Sequence, residues 1–323
     1  MKIILVLFLF YIGIYTSSSQ VLDSLKTERQ SFIIDSNLSY EFSKPKILDM
    51  FKYIPKDLVG LGKYIINKKN ITPLMLATSS TIAIMPFDET LTKGASNLGN
   101  HLNLDNEGTY LRIKGVRMLP SNLPAAVYFI GNGGTTLLLS GGFFIVGKLK
   151  NDYRMQTTSS ELIEVIFSTG LVSQTFKRIT GRQSPTSGKT AKNSSFQWTP
   201  FPSFKAYQSH TPEYDAMPSG HLMTYMASLT VIATNYSEVK WIKPVGYSLA
   251  GLLAFQMVSS KVHWTSDYPF AVLFGYVIGK NIAHRRIHKT HAIKIGQQEI
   301  NYKTNLSLSN INGFTTIGLH VSF

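Results

Sequence analysis

The sequence predicts an all-α fold, a helical bundle closed by a small C-terminal β-hairpin, and three observations carry that prediction. Apolar residues recur at helical spacing through several segments. Stretches rich in Pro, Gly, Asn and Ser separate those segments. Apolar and polar residues alternate only near the C-terminus, on either side of Asn312-Gly313, a tight-turn pair.

Residues 1–19 read as a signal peptide. Met1-Lys2 gives a positive start, residues 3–14 are almost wholly apolar, and Thr16 to Ser19 offer small residues for cleavage before Gln20. An uncleaved anchor is the alternative, although the apolar stretch is short for a span. Export follows from either. Residues 20–120 form an N-terminal polar and helical region. Within it, residues 20–56 carry a weak helical pattern broken at Pro45 and Pro55, residues 72–87 are apolar but dotted with Thr and Ser, and residues 88–121 read as a polar surface connection with short helices at most.

Residues 121–290 are the helical core. Residues 124–147 are apolar, uncharged and long enough to span a membrane, while their glycine pairs would equally suit close packing inside a bundle. Residues 161–179 place Leu162, Val165, Ile166, Thr169, Val172 and Phe176 on one helical face, with Thr158 and Glu161 as a capping box. Residues 184–217 form a loop of Ser, Pro, Lys and aromatics that reads either as a lid or as an ordinary surface loop. Three apolar helices follow, over residues 221–236, 244–258 and 263–282, and residues 291–323 are the tail with the hairpin.

The chain has 323 residues, a formal net charge of +14 and no cysteine. Disulfides, thiolate catalysis and Cys-type metal sites are therefore excluded. The basic balance suits phosphorylated substrates or anionic lipid headgroups. No nucleic-acid-binding motif is present and the aromatics are dispersed through apolar segments, so nucleic acid is not expected as a partner. Mean hydropathy is close to zero. That favours an exported bundle, periplasmic or membrane-associated, over an integral membrane protein, which remains the alternative.

Three short pieces carry chemistry. Pro218-Ser219-Gly220 breaks the chain and starts a helix with Ser219 as N-cap, so the free N–H groups of Ser219, Gly220 and the first turn form an anion site at the positive end of the dipole. His221 sits inside that turn. His263 and Asp267 are four residues apart, so on a helix they share a face, where the carboxylate would hold one ring nitrogen and leave the other to attack. Upstream, Lys177, Arg178 and Arg182 cluster where a helix stops at Gly181.

In order and spacing these pieces resemble the type 2 phosphatidic acid phosphatase/vanadium haloperoxidase superfamily. Its pattern is Lys, six residues, Arg-Pro; then Pro-Ser-Gly-His; then Ser-Arg, five residues, His, three residues, Asp. Pro218-Ser219-Gly220-His221 and the His263/Asp267 pair match in full, Lys177 and Pro185 stand in place, and Arg182 follows Gly181 as in bacterial members. Ser184 and Met257 stand where the family has Arg. The resemblance implies an exported bacterial member with the family's helical bundle, hydrolysing a phosphomonoester or a lipid (pyro)phosphate through a phosphohistidine. It casts His263 as nucleophile, Asp267 as its orienter and His221 as general acid and then base, with Lys177, Arg182, Ser219 and Gly220 cradling the phosphate. No metal or other cofactor is implied. The two missing arginines motivate a non-catalytic phosphate- or lipid-binding relative as the alternative. A vanadate-dependent haloperoxidase is a third reading, and the missing guanidiniums argue most against it.

Overall fold

The computed structural model describes residues 29–104, 108–113, 116–186, 196–291, 303–311 and 314–322. The expected signal peptide and the Asn312-Gly313 turn lie outside them.

The fold is helical, as expected. The longest element is α7 (Tyr153–Thr180), whose N-cap Asp152 accepts from the Met155 N–H and whose C-terminus is closed by Gly181 in the left-handed region. It therefore starts earlier than the expected residue 161. The anticipated capping box is absent, because Thr158 donates back to the Arg154 carbonyl within the helix. Against α7 pack α9 (Gly220–Asn235) and α11 (Tyr268–Arg286), while α10 (Ile242–Ser259) packs on α9. Leu162, Val165, Met223, Leu253, Phe274 and Ile278 are among the side chains of the shared core.

The stretch expected as one long apolar segment is two helices. α5 (Leu123–Ile130) and α6 (Gly133–Leu149) meet at 73°, because the Asn132 side chain caps the second helix by accepting from the Gly134 N–H. No single helix among the described residues is long and apolar enough to cross a membrane, though this bent pair passes by length and composition.

Three expectations for the ends of the chain need correction. Residues 20–56, read as weakly helical, contain strands β1 (Arg29–Asp35) and β2 (Leu38–Ser43). These pair antiparallel with each other and with β5 (His288–His291), the short strand that follows α11. Short helices α1 (Asp49–Lys52) and α2 (Ile54–Ile66) come next, then α3 (Ile71–Ile84). Residues 88–121, read as a surface connection, begin with the fifteen-residue α4 (Asp88–Leu102) and continue into the hairpin β3 (Tyr110–Ile113) and β4 (Val116–Pro120). The helix expected from residue 263 begins at Tyr268, after a 3-10 turn over Thr265–Asp267, with Pro269 in its first turn where a missing N–H costs nothing. The C-terminal hairpin is present as β6 (Lys303–Ile311) and β7 (Phe314–Ser322).

Candidate active site

The site lies where the C-terminal end of α7 meets the N-terminal end of α9. Gly181 makes that end of α7 possible: its φ is +54°, and a Cβ there would lie 1.7 Å from the Thr199 carbonyl oxygen. The helix thereby delivers Lys177, whose Nζ lies 3.4 Å from Asp215 Oδ2. Facing it, Ser219 caps α9, its hydroxyl accepting from the Leu222 N–H at 3.4 Å. Gly220 must be small as well, since a Cβ would lie 2.9 Å from Ser173 Oγ and 3.9 Å from Lys177 Nζ. A cavity of about 230 Å³ opens here, lined by Ser173, Lys177, Gly220, His221 and Thr224 together with the Gly131 turn. An anion in it would meet the Lys177 ammonium and the positive end of α9.

The His221 ring packs 4.7 Å from the Tyr128 ring. Burial first, and then the charges of His263 and Lys177, push its pKa down to about 3. In the free protein this imidazole is therefore neutral, and a bound dianion would reverse the Coulombic part of that shift.

His263 lies one layer deeper, 3% exposed. Its Nδ1–H donates to the Ala216 carbonyl at 2.8 Å, whereas Asp267 Oδ2 stands 3.6 Å away. The ring nitrogen expected to be held by the carboxylate is thus held by the backbone, because His263 precedes the helix and the helical i,i+4 geometry does not apply. The tautomer is the same either way, with Nε2 carrying the lone pair. Asp267 caps its own turn by accepting from the Trp264 N–H at 2.8 Å.

Arg182, expected in the phosphate cradle, is placed differently. Its guanidinium is fully buried between Asp267 Oδ1 at 2.5 Å and Asp88 Oδ2 at 2.8 Å, and it donates to Ser266 Oγ. Its backbone carbonyl accepts from the Ala216 N–H, so one residue tethers both supports of His263. Asp88 also accepts from the backbone N–H and the hydroxyl of Ser266. Burial pushes its carboxyl up against the opposing pull of Ser266 and Arg182. Asp88 and the Ala216 carbonyl were missed in the sequence reading. The only signal for Asp88 was an acidic residue opening a helix shortly after Pro86, which is commonplace.

The two departures from the family pattern are both buried. The Ser184 hydroxyl donates to the Pro212 carbonyl at 2.7 Å. Met257 packs under the start of α9, its sulfur accepting from the Ser219 hydroxyl at 3.8 Å. Among the described residues, Arg178, Lys205 and Lys261 do not line the cavity. Arg178 stacks on Tyr207 and Phe204, at 4.5 and 5.2 Å, and Lys261 occupies a left-handed turn (φ 59°). Among the described residues lining the cavity, Lys177 is the permanent cation.

Residues 160–289 match the PAP2 superfamily model. No curated protein matches. Among solved structures, the chain is similar to the transmembrane PAP2-type phosphatidylglycerolphosphate phosphatase of Bacillus subtilis. The two are 14% identical with a TM-score of 0.37, over 67% of this chain and 92% of that one.

Proposed function

We propose that the protein is a phosphatase that cleaves a phosphomonoester or a lipid (pyro)phosphate through a phosphohistidine on His263. The observation that carries this reading is the bond from His263 Nδ1–H to the Ala216 carbonyl, which leaves the lone pair on Nε2, on a ring close enough to the cavity-lining His221 for their charges to interact. In the first step Nε2 attacks phosphorus in line, the P–O bond to the leaving group breaks, and His221 donates a proton to the departing oxygen. His221 acquires that proton when the substrate dianion enters and offsets the burial that keeps it neutral. In the second step water attacks the phosphohistidine, His221 takes its proton, and phosphate leaves. Lys177, the α9 N-terminus and the Ser219 and Gly220 backbone hold the phosphoryl oxygens. Asp267 and Arg182 are positioning residues. The scheme uses no metal.

A lipid substrate and membrane association are supported by the inverted faces of several helices. α3 exposes Ile71, Met75, Leu76 and Ile82 while burying Ala77 and Thr81. α4 exposes Leu91, Leu98 and Leu102 while burying Asp88, Thr92 and Ser96. A helix facing water shows the opposite arrangement, and apolar surface on this scale marks an interaction face. Phe201 and Phe204, 74% and 69% exposed, extend that surface to the loop beyond Gly181. Together with the expected export, this surface supports a position at a membrane facing the periplasm.

One observation favours a second reading, a phosphate- or lipid-binding relative without turnover: neither Ser184 nor Met257 supplies a cation to the cavity. Phosphate release from a panel of soluble and lipid phosphates, wild type beside His263→Ala, separates the two. Turnover that falls about 10³-fold or more in the variant is the expected result. Identical background from both proteins would leave the binding reading standing.

A further inference from the structure

A second cavity lies at the other end of the bundle. It encloses about 170 Å³ between the chain after β2, α1, α7 and the end of α11. α7 is one continuous helix, and Thr157, which lines this cavity, is twenty residues from Lys177, roughly 30 Å along the axis at about 1.5 Å per residue. The two cavities are therefore separate sites.

Cations converge on it from three elements that are distant in sequence. Lys44 follows β2, Arg285 and Arg286 end α11, and His288 opens β5. The pairing of Glu41 with His288 across β2 and β5 fixes this convergence. Tyr53 forms one wall, with the guanidinium carbons of Arg285 and Arg286 at 5.1 and 5.5 Å from its ring centre. Arg285 pairs inward with Asp57 and Glu164. Arg286 pairs with Glu164 and donates to Ser160 Oγ and the Asp49 carbonyl. One guanidinium donor is left over: Arg286 Nε is buried and has no partner, on a side chain 9% exposed. Asp49 also lines the cavity, and its carboxylate accepts from the Lys46 N–H.

Two buried glutamates also face these arginines, and burial disfavours charge on both, pushing the Glu161 and Glu164 carboxyls up against the pull of Arg285 and Arg286. The negative charge that opposes Lys44, Arg285, Arg286 and His288 is thereby reduced. Size narrows the occupant further. A water takes about 30 Å³ of liquid volume and ordinary small-molecule sites begin near about 300 Å³. This cavity thus has room for one headgroup-sized ion and not for a nucleotide.

We propose that this cavity binds a single compact oxyanion of the phosphate type, with the Arg286 side chain in its wall and Lys44 and His288 closing its rim. A lipid phosphate headgroup and free inorganic phosphate present the same chemistry. The site is independent of turnover at His263, so the failure of one reading leaves the other intact.

The test uses the full chain and the rim, because Lys44 and His288 are exposed and their loss spares the buried pairs. Inorganic phosphate is titrated calorimetrically into wild type, into Lys44→Gln/His288→Gln, and into Lys177→Gln. Wild type is expected to show two sites. The rim variant should weaken one about tenfold with phosphate release unchanged, the effect of removing one charge-assisted bond. Lys177→Gln should weaken the other. A parallel arm measures sedimentation with phosphatidylcholine vesicles with and without phosphatidic acid. Rim-dependent binding to the phosphatidic acid vesicles that exceeds rim-dependent binding of inorganic phosphate identifies a headgroup as occupant; the reverse order identifies the free ion. A single phosphate site abolished by Lys177→Gln, with vesicle binding indifferent to the rim variant, overturns the proposal.

Discussion

The two ends of α7 both bury carboxylates against arginine, but they do so with opposite arithmetic. Near Lys177, one guanidinium serves two carboxylates, and every carboxylate oxygen is bonded: Arg182 or Ser266 on those of Asp88, Arg182 or the Trp264 N–H on those of Asp267. Near Thr157, Asp57, Glu161 and Glu164 face Arg285 and Arg286, yet Glu161 Oε1 and Arg286 Nε are buried without partners. Burial pushes Glu161 up to about 7 and Glu164 up to about 8, despite the nearby arginines. A saturated network has one arrangement and holds a ring in place. An unsaturated one still has capacity for a proton or a ligand.

The largest effect that would break this comparison is at Arg182. Arg182→Met leaves Asp88 and Asp267 buried without a cation, at an expected cost of about 3–5 kcal/mol. Phosphate release should fall with it, since the Arg182 side chain holds Asp267 in place beside His263. Arg285→Met should cost less, about 1–2 kcal/mol, because its guanidinium is partly exposed, Arg286 still pairs with Glu164 and the Ser168 hydroxyl still donates to Asp57. Urea midpoints for the two variants at pH 7 decide the matter: equal losses would erase the distinction between the two ends.

The next effect is a dependence of stability on pH that belongs to one end. Glu161 has a folded pKa of about 7, above its ordinary 4.5, so between those values the folded state binds more protons than the unfolded chain. Stability is then fullest near pH 5 and is lost as pH rises through 7, by at most about 3 kcal/mol for this group. Glu164 extends the window to about 8. Glu161→Gln keeps an oxygen for the Asn235 amide and removes the titration, so its midpoint should change less between pH 5 and 8. Parallel pH profiles for wild type and variant would remove Glu161 from the argument.

Much of the site was legible in the sequence, and what was not shares a physical cause. Lys177, Ser219, Gly220 and His221 come together around one cavity because local signals define them: a helix end, a cap, a first turn. Asp88 escaped because α4 buries a polar stripe, Asp88, Thr92, Ser96 and Gly99, and a search for apolar periodicity passes over such a helix. α7 does the same with Thr158, Glu161, Glu164 and Ser168, and so its first two turns were lost. β1 and β2 were missed because the alternation is short, with Tyr40 and Phe42 inward in a six-residue strand. The role of Ala216 could not be read at all, since a backbone carbonyl supplies it.

The smallest effect concerns His221 and separates the two ends by the sign of their response. Glu161 holds a proton because it is buried; His221, with a pKa of about 3, has lost one for the same reason. A dianion beside Lys177 and His221 should return that proton. Sulfate keeps its charge across the working range, so it tests the point without titrating itself. Calorimetry at pH 5 in buffers of different ionisation enthalpy should show uptake approaching one proton per sulfate at this site, absent in His221→Gln. Linkage then requires the affinity to fall with rising pH, by up to about tenfold per unit, or about 1.4 kcal/mol. Sulfate binding at the Lys177 cavity with no proton uptake would mean that His221 stays neutral beside an anion. The general acid of the first step would then have to be sought elsewhere, with Lys177 the nearest remaining donor.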